Sequence, residues 1–420
     1  MKNIITQAAN SNGVHIKYRN IGIDFEHPFD KVLELEPVMM KEAPMVIGAI
    51  KDNFPGENRV PLTPQTGNRL VKKGAQVSVE TGIGQDIHFT DGAYAKAGAS
   101  LVSRQEILTK ADIVLRVRKP SLEEVALLKP GALHLSFLDP FNEKDLIRAL
   151  AARGVSAVSL EMIPRTTLAQ KMDALSSQAS IAGYAAVILA AERIKKVLPM
   201  MMTPAGTIPP ARVFIVGAGV AGLQAIATAK RLGARVDAFD TRPVVKEQVQ
   251  SLGAKFVEID LGQTAQTTGG YAVQLTPEQL ARQREGMAKI CGVSDIVITT
   301  AQVFGRKAPV IITRDMISRM KPGAVVIDMA IETGGNVEGA ELGKEVDVNG
   351  VKIIGLVNLP GKAALDASEM LAANFTNFIE HFWNKESAGV DLKLDDEIIK
   401  GCLITHGGAV VHPSFTERSA

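Results

Sequence analysis

Short apolar runs alternate along most of the chain with longer segments in which apolar residues recur every three or four positions. The first set of runs comprises Val46–Ile50, Gln76–Glu80, Asp112–Val117, Leu133–Phe137 and Ala157–Leu160. The second set comprises Val213–Val216, Arg235–Phe239, Lys255–Ile259, Asp295–Thr300, Ala324–Met329 and Val351–Val357. Strands that alternate with helices build parallel sheets with helices on both faces. The pattern therefore predicts the α/β class, with two doubly wound parallel-sheet (Rossmann-like) domains.

Two longer segments carry an apolar face and predict long helices. They are Leu175–Leu198, between the two sets of runs, and Ala367–Trp383, after the second set. We expect these helices to join the domains, with a cleft between them that suits a cofactor. The predicted division is residues 1–44 as an N-terminal arm, 45–175 plus 366–420 as the first domain, and 176–365 as the Rossmann domain.

A glycine motif follows the first run of the second set. Gly217, Gly219 and Gly222 fit G-x-G-x-x-G, and Asp240 ends the next apolar run. The first glycine permits a tight turn, the second lets a pyrophosphate approach the backbone, and the third lets a helix pack closely. The phosphates then lie on unpaired N–H groups where the helix begins.

The acid after the second run predicts the choice of cofactor. Asp240 would accept hydrogen bonds from the adenosine ribose hydroxyls and repel a 2′-phosphate, although Arg242 could compensate for that charge. We therefore predict NAD(H) as the cofactor; the alternative is a βαβ unit that binds nothing. The predicted cofactor-binding residues at these strand ends are Gly217, Ala218, Gly219, Val220, Gly222, Asp240, Thr241, Arg242, Thr300 and Ala301.

Composition narrows the class of protein. The chain has 420 residues, and its 47 basic and 45 acidic residues give a formal net charge of +2, so nucleic-acid binding is not indicated. Cys291 and Cys402 are too few for a disulfide framework or a zinc site, and we predict no metal. No apolar run reaches the length of a membrane span. We expect a soluble protein that can still dock on a membrane complex.

Two stretches leave alternatives open. Residues 1–44 lack a secretory apolar core, and their acids roughly match their bases, which argues against a targeting peptide. We expect a surface arm there, with a short hairpin at Gly13–Phe25. The polar stretch Leu261–Gly270, which ends before Tyr271, is either a flexible surface loop or a lid over bound nucleotide.

Longer motifs identify a family. They are ENRVPLTP (57–64), MDALSSQASIAGY (172–184), MMMTPAGTIPPARV (200–213), FDTRPVVKEQVQSLGAKF (239–256) and MKPGAVVIDMAIETGGN (320–336). From about Met45 to its end the chain resembles the alanine dehydrogenase and pyridine nucleotide transhydrogenase superfamily. The second and fourth motifs, and LDDEIIKGCLITHGGAVVHPSF near the C-terminus, are similar to the NAD(H)-binding component of proton-translocating transhydrogenases.

The resemblance separates two chemistries. Alanine dehydrogenases hold and deprotonate their substrate with an Arg, a Lys, a His and an Asp. Local alignment places Arg59, Arg118, Asp139 and Glu332 at those positions. Arginine cannot be deprotonated and an exposed aspartate is too acidic to be a base near neutral pH. Amino-acid chemistry is therefore not expected, and Arg59 is expected to be an ion-pair partner in the scaffold.

The segment PRTTLAQKMDALSS supplies the expected reaction centre. The resemblance implies that Arg165, Gln170, Asp173 and Ser176 hold the nicotinamide and its ribose, and that Tyr271 folds over the bound nucleotide. Hydride transfer between two nicotinamides needs two rings at contact distance rather than an acid or base. Without the resemblance, the same segment would be interpreted as a polar interdomain loop capped by Asp173.

The resemblance implies hydride exchange between NADH and NADP⁺, coupled to proton translocation through other chains. It also implies an NADP(H)-binding subunit and a transmembrane proton-channel subunit as partners, and a homodimer of this component. Two alternatives stay open at this point: an amino-acid dehydrogenase with an altered substrate, and an NAD-binding regulatory or assembly protein without chemistry.

Overall fold

The first sheet begins with six parallel strands. The computed structural model describes residues 44–262 and 276–416. Its first strands are β1 (Val46–Ala49), β2 (Gln76–Glu80), β3 (Ser100–Val102), β4 (Ile113–Arg118), β5 (Leu133–Phe137) and β6 (Ser156–Ser159). They pair in the order β6-β5-β4-β1-β2-β3. Leu115 packs on one face of this sheet and Val114 on the other, which is why the strands are continuous apolar runs.

Five helices connect these strands. They are α1 (Pro64–Lys72), α2 (Asp91–Lys96), α3 (Arg104–Lys110), α4 (Leu122–Leu127) and α5 (Lys144–Ala152). Ser121 and Glu124 cap α4 reciprocally, as their spacing predicts, and Ser103 accepts from the Glu106 N–H at the start of α3. The helix starts are therefore specified locally by side chains that pair with otherwise unpaired N–H groups.

A long helix then leads away from the first sheet. Helix α6 (Ala174–Arg193) is followed by a hairpin of β7 (Met201–Thr203) and β8 (Gly206–Ile208). Within the described part of the chain, α6 alone combines the length and the apolar composition that a membrane span needs, with a mean hydropathy of 1.4 over its most apolar window. Half of that window is buried inside the protein. The packing is that of a core helix.

The second sheet has seven strands. They are β9 (Arg212–Val216), β10 (Arg235–Phe239), β11 (Lys255–Phe256), β12 (Ile296–Thr299), β13 (Val325–Asp328), β14 (Glu345–Val348) and β15 (Val351–Ile354), in the order β11-β10-β9-β12-β13-β15-β14. The helices of this region are α7 (Val220–Arg231), α8 (Lys246–Ser251), α9 (Pro277–Val293) and α10 (Arg314–Ser318). Ile215 packs on one face and Phe214 on the other, so this sheet too is covered on both sides.

The chain returns to the first sheet through a second long helix. After α11 (Ala364–His381) come β16 (Trp383–Asn384), β17 (Gly389–Val390), α12 (Glu397–Cys402), β18 (Leu403–His406) and β19 (Ala409–Val410). Strand β18 pairs with β6, and β19 pairs with β18, both antiparallel. Helix α11 packs against α6 and α1, so the two long helices lie together.

The α/β class with two Rossmann-like sheets is confirmed, and the mostly parallel sheets each end in antiparallel pairing that involves three strands. Besides β18 and β19, strand β14 runs antiparallel to β15. The turn between β14 and β15 is Asn349-Gly350, with φ of +54° and +80°, and Gly407-Gly408 joins β18 to β19 with φ of +58° and +83°. Left-handed residues at both central positions make a tight hairpin, which reverses the strand direction.

Candidate functional site

The glycine motif forms the turn between β9 and α7. Gly217 has φ of +96°, and its N–H donates to the Phe239 carbonyl at 2.8 Å. A Cβ on Gly217 would lie 2.5 Å from Thr300 Oγ1, and a Cβ on Gly222 would lie 1.9 Å from the Gly217 carbonyl oxygen. Those contacts are too short for any side chain, so packing within the protein requires glycine at both positions.

The middle glycine has a different environment. Gly219 is the N-cap of α7, and no side chain among the described residues caps that helix. A Cβ on Gly219 would meet no described atom within 4 Å. The helix therefore begins with uncapped N–H groups beside open space on the cleft. Such a helix start attracts phosphate, because the N–H groups and the helix dipole both favour an anion. The residues of this turn fit the pyrophosphate of a dinucleotide.

A cleft of about 220 Å³ runs along the carboxyl ends of β9, β10 and β12 and reaches the start of α6. Ten of the residues predicted from sequence line it: Arg165, Ser176, Gly217, Gly219, Val220, Asp240, Thr241, Arg242, Thr300 and Ala301. Gln283, Gln302 and Ile311 also line it and were not predicted. The glycine turn and the segment around Ser176 thus share one cleft, although they lie far apart in sequence.

Four predicted residues within the described ranges do not line the cleft. Ala218 and Gly222 are buried in the turn, where their role is to shape it. Asp173 caps α6, since its carboxylate accepts from the Ser176 N–H at 2.9 Å and from the Ser176 hydroxyl at 2.6 Å. Gln170 is exposed in a short 3₁₀ turn, Gln170–Met172, directly before that cap. Tyr271, with most of the stretch interpreted as a lid, lies outside the described residues.

Asp240 lies at the end of β10 and is almost fully buried, with 6% of its side chain exposed. Its Oδ2 accepts from the Ala218 N–H at 2.8 Å. Arg242 donates to the same carboxylate from its backbone N–H and Nε, both at 2.9 Å, and from Nη2 at 2.8 Å. The bond to Asp240 raises the pKa of Arg242. The predicted ribose acceptor is thus held by protein donors.

The sequence did not reveal the residue that fixes the loop after β12. Asn336 is fully buried, and its Oδ1 accepts from the Ala301 N–H at 3.1 Å while its Nδ2 donates to the Ala301 and Pro309 carbonyls at 2.9 and 2.8 Å. Asp328 in turn accepts from the Asn336 N–H at 2.8 Å, and burial of the Asp328 carboxyl raises the pKa of that group. The sequence signal for this residue was Gly334-Gly335-Asn336, at the end of a motif that indicated the family rather than the site.

The positions that hold substrate in alanine dehydrogenases are occupied here by ion pairs. Arg59 is buried and donates from Nη2 to Glu57 at 2.6 Å and from Nη1 to Gln178 at 2.8 Å. Arg118 donates to the same Glu57 carboxylate at 2.8 Å and approaches Glu332 at 3.5 Å. Burial alone would raise the pKa of Glu57, but the two arginines outweigh it and hold the pKa below its ordinary value. Arg59 is therefore an ion-pair partner in the scaffold, as expected.

No general base lies at the position that the family's histidine would occupy. Asp139 has a left-handed backbone, with φ of +53°, and its carboxylate accepts from Asn142 at 2.8 Å and from Lys119 at 3.4 Å. The nearby His134 is fully buried in β5, and that burial, with the charge of Arg116, lowers its pKa to about 3. His134 is therefore neutral and shielded from solvent. Across residues 44–262 and 276–416, no cluster of side chains could hold a metal ion.

Comparison with known proteins agrees with this arrangement. The family model for the alanine dehydrogenase/PNT N-terminal domain matches residues 48–182, and that for the C-terminal domain matches residues 186–413. The first part of the alpha subunit of NAD(P) transhydrogenase from Rhodospirillum rubrum is 45% identical over 384 residues, which are 90% of this chain and 100% of that protein. The structure of a transhydrogenase from Sinorhizobium meliloti is 42% identical with a TM-score of 0.77, covering 88% of this chain and 99% of that one. A structure of L-alanine dehydrogenase is 25% identical with a TM-score of 0.72, covering 88% of this chain and 98% of that one.

The chain belongs to the alanine dehydrogenase/pyridine nucleotide transhydrogenase family. Proteins of this family bind NAD(H) and are redox enzymes. The resemblance inferred from the five motifs is thereby confirmed, and so is the cofactor class. The chain is more similar in sequence to the Rhodospirillum transhydrogenase subunit, at 45% identity, than to the L-alanine dehydrogenase of known structure, at 25%.

Proposed function

We propose that this chain is the NAD(H)-binding subunit of a proton-translocating NAD(P) transhydrogenase, which exchanges hydride between NADH and NADP⁺. The observation that carries the proposal is a cleft lined by the glycine turn and by Arg165 and Ser176, with no histidine or lysine among its described lining residues. The positions that would hold an amino acid are filled by the Glu57–Arg59–Arg118 ion pairs. Dinucleotide binding is thus supported, and amino-acid deprotonation is not.

The chemistry requires positioning rather than proton transfer. A bound nicotinamide supplies the hydride, and the protein has to hold the ring at contact distance from a second ring. In the proposal, the start of α7 binds the pyrophosphate and Asp240 accepts from the adenosine ribose. Thr300, together with Ala301, which Asn336 holds in place, borders the nicotinamide end of the cleft.

The segment before α6 is proposed to orient the nicotinamide. Asp173 and Ser176 offer a carboxylate and a hydroxyl that already bond to each other, so both side chains are held in place before a carboxamide arrives. Gln170 is exposed one turn away and is assigned to ribose hydroxyls at the junction of the two nucleotides. Arg165 lines the cleft and is assigned to nucleotide or partner binding.

Other chains complete the proposed enzyme. The Rhodospirillum relative is named as one part of a subunit, which supports a complex in which an NADP(H)-binding subunit and a transmembrane proton-channel subunit act beside this one. We further propose that the chain forms a homodimer and attaches peripherally to the inner membrane on its cytoplasmic side. Its division into residues 45–175 plus 366–420, and residues 176–365, belongs to the same proposal.

The test uses Gln170→Asn, which shortens the side chain by one methylene. The variant should bind NADH nearly as the wild type does yet transfer hydride on the order of a hundredfold more slowly, because small misplacements of reacting groups are costly. The measurement is single-turnover transfer from NADH to an NADP⁺ analogue in the presence of the NADP(H)-binding subunit. The matched control is Gln105→Asn, an exposed glutamine on α3 outside the cleft lining, which should behave as wild type.

Wild-type transfer by Gln170→Asn would remove this segment from the reaction centre. Reduction of NAD⁺ by added alanine, without any partner subunit, would instead assign the chain to amino-acid dehydrogenation. Tight NADH binding without hydride transfer in the assembled complex would instead indicate a regulatory or assembly protein. Each outcome is distinct because the three functions differ in which second substrate they need.

A further inference from the structure

At the adenosine end of the cleft, Asp240 and Arg242 form an ion pair, and the hydrogen bonds to Asp240 can be compared with the number that a carboxylate accepts. A carboxylate offers about four acceptor positions. All four on Asp240 are taken, by the Ala218 N–H and by the backbone N–H, Nε and Nη2 of Arg242, at 2.8–2.9 Å. Asp240 therefore has no acceptor position left for a ribose hydroxyl while Arg242 keeps this conformation.

The donors to Asp240 differ in how easily each can give up its hydrogen bond. The Ala218 N–H belongs to the glycine turn, and the Arg242 N–H is fixed by the backbone two residues after Asp240. The guanidinium of Arg242 is attached through rotatable bonds, and its side chain is 16% exposed and lines the cleft. A ribose hydroxyl can reach Asp240 only by replacing this guanidinium, because the two backbone donors cannot move without unfolding the turn.

We propose that Arg242 is a specificity-determining residue of the cofactor cleft, held by Asp240 out of reach of a 2′-phosphate. The inference rests on the proposed function only in that the cleft binds the adenosine end of NAD(H). Arg242 is withdrawn from phosphate while Asp240 is charged, and it becomes a phosphate ligand when that charge is removed. The choice of NAD(H) over NADP(H) is thus made by the pair rather than by Asp240 alone.

The chemistry of the Asp240 and Arg242 side chains supports the proposal that Asp240 keeps Arg242 from binding a 2′-phosphate. A guanidinium presents parallel N–H donors that match a phosphate as well as a carboxylate, so Asp240 and a 2′-phosphate compete for the same partner. Among the described residues that line the cleft, the other cation is Arg165, which comes from the segment before α6 rather than from the ribose end. Lys246, on the helix that follows, is paired with Glu258 at 2.7 Å. Arg242 is thus the cation placed to bind phosphate at this end.

The test compares adenosine fragments, so that the nicotinamide end plays no part. Affinities for 5′-ADP and 2′,5′-ADP are measured by calorimetry on wild type, Asp240→Asn, Arg242→Ala and the double variant. Asparagine keeps an oxygen that can accept from the Ala218 N–H, so the turn is preserved while the charge is lost. We expect wild type to prefer 5′-ADP, and Asp240→Asn to bind 2′,5′-ADP at least about tenfold more tightly than wild type does. The double variant should lose that gain.

Two further results are expected from the same pair. The tighter 2′,5′-ADP binding of Asp240→Asn should weaken as salt is raised, since it depends on a partly exposed charge pair. Arg242→Ala should bind 5′-ADP at least as tightly as wild type, because the ribose no longer displaces a guanidinium. This second readout keeps the inference testable if Asp240→Asn does not fold.

Equal 2′,5′-ADP affinities for Asp240→Asn and the double variant would overturn the inference, as would a marked loss of 5′-ADP binding in Arg242→Ala. Failure of the proposed function is distinguishable from both. If the cleft is not a nucleotide site, wild type binds neither fragment. If only the transhydrogenase assignment fails, the fragments bind with the expected preferences and transfer to an NADP⁺ analogue is absent.

Discussion

At the scale of single residues, the three glycines of the motif differ in the space around them. Gly217 and Gly222 are excluded from carrying a side chain by other atoms of the protein, at 2.5 and 1.9 Å. Gly219 has open space around it, and its φ of −79° suits any residue. Packing among the described residues therefore does not require glycine at this position.

This difference predicts a contrast between two substitutions. Gly222→Ala should lower the free energy of unfolding by about 1–3 kcal/mol, as overpacking does, and abolish NADH binding because the turn must open. Gly219→Ala should change stability by less than about 1 kcal/mol, within the range of an N-cap change, yet weaken NADH binding at least about tenfold. Urea unfolding and calorimetry on the same samples give both quantities. Unchanged NADH affinity in Gly219→Ala would mean that the pyrophosphate does not cross this turn.

The sequence predicted the positions of individual residues well where a position depends on the local backbone. Gly217, Gly222 and Asp240 lie where their spacing indicated. Two interactions could not be predicted: the ion pair of Asp240 with Arg242, and the hydrogen bond between Asn336 and the Ala301 backbone. Both depend on side-chain directions, and the second joins residues that the fold alone brings together.

At the scale of elements, helices α6 and α7 pack at very short range. Gly183 in α6 faces the carbonyl of Ala221 in the first turn of α7, and a Cβ on Gly183 would lie 2.2 Å from that oxygen. The helix that leads from the first sheet thus touches the helix that begins the nucleotide turn. Packing at this contact therefore sets the position of the first turn of α7.

Gly183→Ala is therefore expected to be costly although alanine is the better helix former. Alanine gains about 1 kcal/mol in helix propensity, but the overlap with a backbone carbonyl pushes the helices apart, for a net loss of about 1–2 kcal/mol. NADH binding should weaken as well, because the start of α7 shifts. The matched control is Gly67→Ala in α1, where the nearest atom to the new Cβ is a leucine methyl carbon at 3.6 Å, and which should be neutral or stabilising. Thermal unfolding of both variants measures the two effects. A Gly183→Ala variant more stable than wild type would contradict the close contact between α6 and α7.

Helices and buried strands were predictable as elements, and edge strands were not. The runs around Val114 and Ile215 are recognisable by hydrophobicity, because both faces of those strands are covered. Strand β3 has only three residues, two of them exposed, and β14 is at most half-buried, so neither leaves an apolar pattern. For β14 the signal lies instead in Asn349-Gly350, a dipeptide typical of hairpin turns.

At the scale of the whole molecule, a buried charge network lies where the two sheets meet. Glu57 is fully buried and receives both Arg59 and Arg118, and Arg118 continues to Glu332 beyond the end of β13. The Asn358 side chain donates to the Gly56 carbonyl at 2.9 Å across the same junction. Arg118 thus links Glu57, the acid that both arginines share, to Glu332 in the other part of the chain.

Removing that acid should destabilise the protein in a pH-dependent way. Glu57→Gln leaves two arginines near each other with no carboxylate between them, at a cost of about 3 kcal/mol at pH 7. Because the pKa of Glu57 is lowered on folding from 4.5, the stability it contributes is present above that value and is lost as pH falls through the folded pKa. The difference between variant and wild type should therefore shrink below about pH 4 in urea unfolding. Glu332→Gln, whose side chain is 42% exposed, should cost little at any pH. A pH-independent difference for Glu57→Gln would show that packing, and not charge, is lost.

The order of strands in the first sheet has a consequence for synthesis on the ribosome. The second sheet draws its strands from one uninterrupted block, Arg212–Ile354, whereas the first sheet needs Leu403–Val410 to cover β6. Until that last segment emerges, Ser156–Ser159 is an open edge able to pair with another chain. The sheet encoded first is therefore completed last, and the nascent protein must keep this edge from unwanted pairing while the entire nucleotide-binding sheet is made.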